Sequence, residues 1–177
     1  MGKTLQVKSD KPKVLIVMGS DSDLPVMQEA AKLLNEFSIS FEMTVASAHR
    51  TPARAMRLAS GAEKRGFAVI IAGAGMAAHL AGVLAAHTIL PVIGVPMDAS
   101  SLKGMDALLS TVQMPPGVPV ATVSIGRAGA KNAAILASQI IARSNSGVAD
   151  SLHAFKKKMA RQVEQKAKNL MRPKEKE

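Results

Sequence analysis

Cysteine is absent from all 177 residues. That excludes disulfides, a thiolate nucleophile and Cys-ligated zinc or iron–sulfur sites. Trp and Tyr are also absent and Phe occurs four times, so there is no series of rings on which nucleobases could stack. Charged or polar residues interrupt every apolar run before it reaches the roughly 20 residues of a membrane helix. The first residues, Met1-Gly2-Lys3-Thr4-Leu5-Gln6, lack the apolar stretch of a secretory signal. Gln6 stands where myristoylation requires Ser or Thr. Gly2-Lys3-Thr4 has the ending of a P-loop but neither its upstream glycine nor a preceding strand. The expectation is a cytoplasmic protein with no membrane partner.

The formal net charge of +10 invites a nucleic-acid reading, so its distribution matters. Residues 1–13 carry +3 and residues 155–177 carry +6, which leaves +1 for everything between. A nucleic-acid face is expected as a basic stripe on the folded body, interleaved with aromatics. Neither is present, and no nucleic-acid partner is expected.

What the chain does have is regular alternation. Apolar, β-rich runs occur at Val14–Met18, Phe41–Val45, Ala68–Ala72, Val92–Val95 and Val118–Val123. Their continuity predicts strands buried on both faces. Helical patterns fall between them: Asp23–Phe37, Pro52–Arg65, Ala77–His87 and Ala128–Arg143. Thr51 and Pro52 suit a helix start, and Gly66 a helix stop. Five strands alternating with helices predict an α/β fold, a flavodoxin-like doubly wound parallel sheet in a three-layer α/β/α sandwich. Residues 13–147 would form that domain after a basic extension, 1–12. Residues 148–177 would add a C-terminal amphipathic helix and basic tail. In that helix Leu152, Phe155, Met159, Val163, Ala167 and Leu170 recur at three- and four-residue steps. Two placements suit the stripe: packing on its own domain, or an arm across a neighbouring subunit.

Ligands of open parallel sheets bind beyond the carboxyl ends of the strands. The segments expected there are Gly19-Ser20-Asp21-Ser22-Asp23, Ser47-Ala48-His49-Arg50-Thr51-Pro52, Gly73-Ala74-Gly75-Met76-Ala77-Ala78-His79, Pro96-Met97 with Ser100–Gly104, and Ser124-Ile125-Gly126. All are rich in small, hydrogen-bonding residues. The first can cradle an anion at a helix N-terminus, with Asp23 accepting from sugar hydroxyls; plain helix capping explains the same residues. Gly73-Ala74-Gly75 allows close ligand approach but is not the dinucleotide fingerprint, since no third glycine follows in place. His49 beside Arg50 puts a titratable group next to a fixed anion ligand. The plainer alternative is a helix-entry loop with a surface arginine. His79 fits either a site role or a hydrogen-bonded structural role, while His87 and His153 read as structural or surface residues. No His-x-x-x-His, carboxylate cluster or Ser-His-Asp arrangement is legible, so no metal is expected.

These segments together resemble a known family. Met18-Gly19-Ser20-Asp21-Ser22-Asp23, Ser47-Ala48-His49-Arg50-Thr51-Pro52, Ile70–Gly75, Ala77-Ala78-His79-Leu80, Pro91–Pro96 and Val112-Gln113-Met114-Pro115 are similar, in order, to the class I PurE family, the N5-carboxyaminoimidazole ribonucleotide mutases of purine biosynthesis. The resemblance spans roughly residues 13–145. It implies a flavodoxin-like subunit of a homo-octamer that moves a carboxylate from the exocyclic nitrogen of an aminoimidazole ribonucleotide to ring carbon C4, with no cofactor. It implies His49 as the proton shuttle and Ser20, Asp23 and Arg50 as ribonucleotide ligands, Arg50 at the phosphate. Gly19, Ser22, Ser47, Ala48, Gly75, Ala77, His79 and Leu80 complete the implied substrate site. Two positions depart from the family pattern: Met76 replaces a glycine and Ala81 a proline. Class II relatives, which carboxylate aminoimidazole ribonucleotide with free CO2, carry Lys-Gly-Pro after the histidine, where this chain has Arg50-Thr51-Pro52. The other readings are that class II activity, a relative that carboxylates another nucleotide, and a nucleotide- or flavin-binding module without catalysis.

Overall fold

The computed structural model describes residues 13–171. The basic extension expected at 1–12 and the last part of the basic tail, 172–177, lie outside the described residues. Five strands are present: β1 (Lys13–Met18), β2 (Ser40–Val45), β3 (Phe67–Ala74), β4 (Val92–Pro96) and β5 (Ala121–Thr122). They form one parallel sheet in the order β2-β1-β3-β4-β5. This is the flavodoxin-like order, in which the winding reverses between β1 and β3.

Alternation along the strands divides the core in two. Val14, Ile16, Met18, Val69, Ile71, Ile93 and Val95 face one layer, built on α1 (Leu24–Glu36) and α5 (Gly126–Ala142). Leu15, Val17, Ile70, Ala72 and Val92 face the other, which holds α2 (Pro52–Ala62), α3 (Leu80–Ala85) and α4 (Met105–Val112). Ala130, Ala133, Ala134 and Ala137 of α5 are fully buried, and their small size seats that helix closely. At about 25 cal/mol per Å2 of apolar surface, these two faces supply the main favourable term of folding.

Several expected boundaries move, each for a local reason. The fifth strand is confined to Ala121–Thr122, because Pro119 has no N–H for the ladder and β5 is an edge. Helix α3 starts at Leu80 rather than Ala77, so His79 is its N-cap and not part of its first turn. Helix α2 does start at Pro52 after Thr51, but the Thr51 hydroxyl makes no cap bond; it accepts from Ser47 N–H at 2.9 Å instead. A 3-10 turn over Glu63–Arg65 continues α2 to Gly66, which closes it at φ 81°. The C-terminal helix, α6 (Ser146–Met171), begins two residues before the expected boundary at 148, because Asn145 Oδ1 accepts from Val148 N–H at 3.0 Å. Among the described residues no helix is long and apolar enough to cross a membrane.

Candidate active site

The carboxyl edge of the sheet carries a cavity of about 580 Å3, placed where the winding reverses. Strand pairing holds its rim. Beyond the strands proper, Gly19 N–H donates to Gly73 O at 2.9 Å, Ala46 N–H to Met18 O at 2.9 Å, and Met97 N–H to Ala74 O at 2.9 Å. The loops therefore leave the sheet from fixed points.

The loop after β1 folds back on itself. Ser20 Oγ accepts from Ser22 N–H at 3.3 Å, and Asp23 Oδ2 accepts from Ser20 N–H at 3.0 Å, a reciprocal capping box. Asp23 is only 6% exposed. Its burial raises the carboxyl above the ordinary carboxylate value; backbone N–H groups of Ser20 and Gly19 pull the other way, and the Asp21 charge adds to the rise. The loop after β2 is pinned at Ser47: besides the Ser47 N–H bond to Thr51 Oγ1, Thr51 N–H and Oγ1 donate to Ser47 O at 3.0 and 3.1 Å, and Arg50 N–H donates to Ser47 Oγ at 3.1 Å. That turn presents the exposed side chains of His49 and Arg50.

The loop after β3 brings His79 to the same place. His49 Nε2 and His79 Nδ1 are 2.8 Å apart, and the rings meet edge to face with centroids 5.0 Å apart. A bond of this kind needs one nitrogen protonated and the other bare, so one proton lies between the two rings. Gly75 allows the loop to press on the segment after β4: a Cβ at Gly75 would stand 2.7 Å from Ala99 Cβ. Met76 adopts a left-handed φ of 56° and is 61% exposed. It borders the cavity mouth without filling the interior. Ala81 is buried within α3.

All twelve residues expected at the site line this one cavity: Gly19, Ser20, Ser22, Asp23, Ser47, Ala48, His49, Arg50, Gly75, Ala77, His79 and Leu80. Ala74, Met76 and Ala99 also line it. Ala99 has no signature of its own; the close approach at Gly75 is its only trace. Ser124-Ile125-Gly126 and Ser100–Gly104 are not among the lining residues, so three of the five expected loops form the cavity and the fourth contributes one residue. His87 bonds Val83 O within its own layer, and His153 is an exposed residue of α6. Among the described residues no group of three or more His, Asp or Glu side chains is placed to hold a metal ion.

The site can therefore place an anion against Arg50 and the Ser20 loop, and exchange a proton at a paired imidazole a few residues away. Comparison with known proteins places the chain among relatives. The chain is 56% identical over 166 residues to the N5-carboxyaminoimidazole ribonucleotide mutase of Pyrococcus horikoshii, covering 94% of this chain and 93% of that protein. It is 55% identical over 159 residues to the mutase of Thermotoga maritima, covering 90% and 92%. Its fold superposes on the crystal structure of Treponema denticola PurE with a TM-score of 0.81 at 28% identity, covering 92% of this chain and 100% of that one. Residues 13–162 match the family model described as AIR carboxylase, and the chain belongs to that family.

Proposed function

We propose that this chain converts N5-carboxyaminoimidazole ribonucleotide to 4-carboxy-5-aminoimidazole ribonucleotide in purine biosynthesis. The observation that carries this reading is the gathering of His49, Arg50, Ser20 and Asp23 around a single cavity. The reaction needs those groups. Release of CO2 from the exocyclic nitrogen leaves that nitrogen one proton short. Recapture of CO2 at C4 leaves C4 with one proton too many. A single imidazole can serve both atoms, so the reaction is proton-neutral and requires one well-placed base. We assign that shuttle to His49 and the phosphate to Arg50, whose guanidinium suits a phosphate fork. Ser20 and Asp23 are assigned to the ribose side, where the turn offers hydroxyl and carboxylate oxygens. Gly19, Ser22, Ser47, Ala48, Gly75, Ala77, His79 and Leu80 form the walls.

A site that holds free CO2 must be closed. On the single chain His49, Arg50 and Met76 are exposed, which favours cover by a neighbouring subunit; the homo-octamer itself is proposed from the resemblance to the class I PurE family. Exposed apolar residues on α4 (Met105, Leu109 and Val112) and on α6 (Met159, Val163 and Leu170) support assembly. Residues 13–147 then form the catalytic body and 148–177 its appendage. The cysteine-free composition fits a cytoplasmic setting.

The test supplies purified protein with N5-carboxyaminoimidazole ribonucleotide, without ATP or bicarbonate, and follows appearance of the C4 carboxylate. Turnover is expected from the wild type, and a loss on the order of 100-fold or more in His49→Asn. No product from the wild type overturns the reading. Equal rates in the two proteins remove His49 from its role.

A further inference from the structure

We infer that Ser110, which lies outside the cavity, is a positioning residue for the site: its hydroxyl holds the Gly75–His79 turn so that His79 meets His49. The inference rests on the proposed reaction for its kinetic consequences and on geometry for everything else.

The turn between β3 and α3 is tied internally by His79 N–H donating to Ala77 O at 2.8 Å and packs at Gly75 on Ala99, but its hydrogen bonds to the rest of the fold are few. At one end Ala74 is held by Met97 N–H, and at the other His79 O accepts from Val83 N–H at 3.0 Å inside α3. Between them Met76 takes a left-handed backbone, which a side-chain-bearing residue adopts only where its surroundings enforce it. One bond reaches the middle of the turn from another element. Ala78, 2% exposed, donates its N–H to Ser110 Oγ at 2.9 Å. That hydroxyl donates in turn to Asp106 O at 2.7 Å, one turn earlier in α4. A serine hydroxyl has one proton to give and lone pairs to spare. Its proton is committed to its own helix, so a lone pair is left pointing at the site loop.

The support is itself firmly mounted. Ala107 and Thr111 of α4 are buried, and Thr111 Oγ1 donates to Ala107 O at 2.7 Å. Ser110 thus joins a fixed helix to Ala78, the residue before His79, and His79 Nδ1 lies 2.8 Å from His49 Nε2. Removal of the hydroxyl leaves a buried N–H without its partner, and the turn must reopen to satisfy it. A displacement of about 1 Å at a reacting group is enough for a rate loss of about 100-fold. The Ser20 loop and Arg50 stand on the β1 and β2 loops and do not feel this change.

The test compares Ser110→Ala, Ser110→Thr and Ser110→Val. Thr and Val have the same shape, and a helical Thr keeps a hydroxyl able to bond the carbonyl four residues back. Expected for Ser110→Ala and Ser110→Val is a kcat at least tenfold below wild type, with KM within about threefold. Ser110→Thr is expected to keep kcat within about threefold. The kcat–pH profile should change shape in Ser110→Val and match wild type in Ser110→Thr, which a loss of folded protein would not produce. Imidazole 15N spectra give an activity-free readout: signals of His49 and His79 should move in Ser110→Val and hold in Ser110→Thr. Identical kinetics and spectra for the Thr and Val proteins overturn the inference. A wild type without turnover refutes the proposed reaction, and the spectra then decide the role of Ser110 alone.

Discussion

At the residue scale the site depends on a carboxylate placed where carboxylates are costly. Asp23 is buried, yet it accepts from Ser20 N–H and so shapes the β1 loop. Because its carboxyl is held above the ordinary value, the unfolded chain ionises first as pH rises. The folded state then loses stability through that interval, from the ordinary carboxylate value up to the raised one. In Asp23→Asn the side-chain amide does not titrate, and its oxygen can still accept from Ser20 N–H. Urea midpoints of Asp23→Asn relative to wild type should therefore shift in favour of the variant as pH rises from the ordinary carboxylate value through the raised one. A difference independent of pH would mean that Asp23 ionises in the fold as freely as in solvent. Most individual site residues were legible because each sits just past a strand: β1 and β3 are buried as expected, whereas β2, an edge strand, is half-buried with Val45 39% exposed. The contact between His49 and His79 was not, because 30 residues separate them and only the fold brings the two loops together. Ser110 was invisible for the same reason: it acts through a backbone N–H and carries no motif.

At the element scale the central strands β1, β3 and β4 were read well, since buried parallel strands are continuous apolar runs, whereas the edge strands β2 and β5, expected to be buried on both faces, are not. Helix α4 was not read at all. Its inward residues are the small Ala107 and Thr111, while Met105, Leu109 and Val112 face out. The apolar periodicity that marks a helix is present but inverted, so it does not point to the chain's own core. Helix α6 shows the opposite case, a legible stripe that splits in use. Val148 and Leu152 are buried, and Phe155 packs edge to face on Phe37 at 5.3 Å. Lys158 reaches Glu36 at 3.4 Å, and beyond it the stripe faces solvent. Phe155→Ala should cost about 2 kcal/mol, below the range for a fully buried Phe because this one is half-buried. Urea unfolding at fixed protein concentration measures it. An unchanged midpoint would show that α6 docks without Phe155.

At the scale of the whole molecule, the basic charge and the exposed apolar residues occur together on α6. Of the +10 total, +5 falls on residues 155–171, the part of the helix that carries Val163 at 67% and Leu170 at 87% exposure. A solvated helix gains nothing from such residues, and a basic helix that only repelled its neighbours would not hold them in one stripe. The proposed octamer accounts for both, with the apolar side laid on a neighbour and the lysines left in water. Changing Val163 and Leu170 together to Ser should then lower the particle mass measured by light scattering. The far-UV spectrum should stay as it is, because neither side chain is buried in its own subunit. Turnover should fall along with the mass, since the exposed face of His49 and Arg50 loses its cover. A wild type that runs as a monomer removes the octamer. A double variant that keeps the wild-type mass shows that α6 is not its arm, and leaves the outward face of α4 as the surface on which subunits meet.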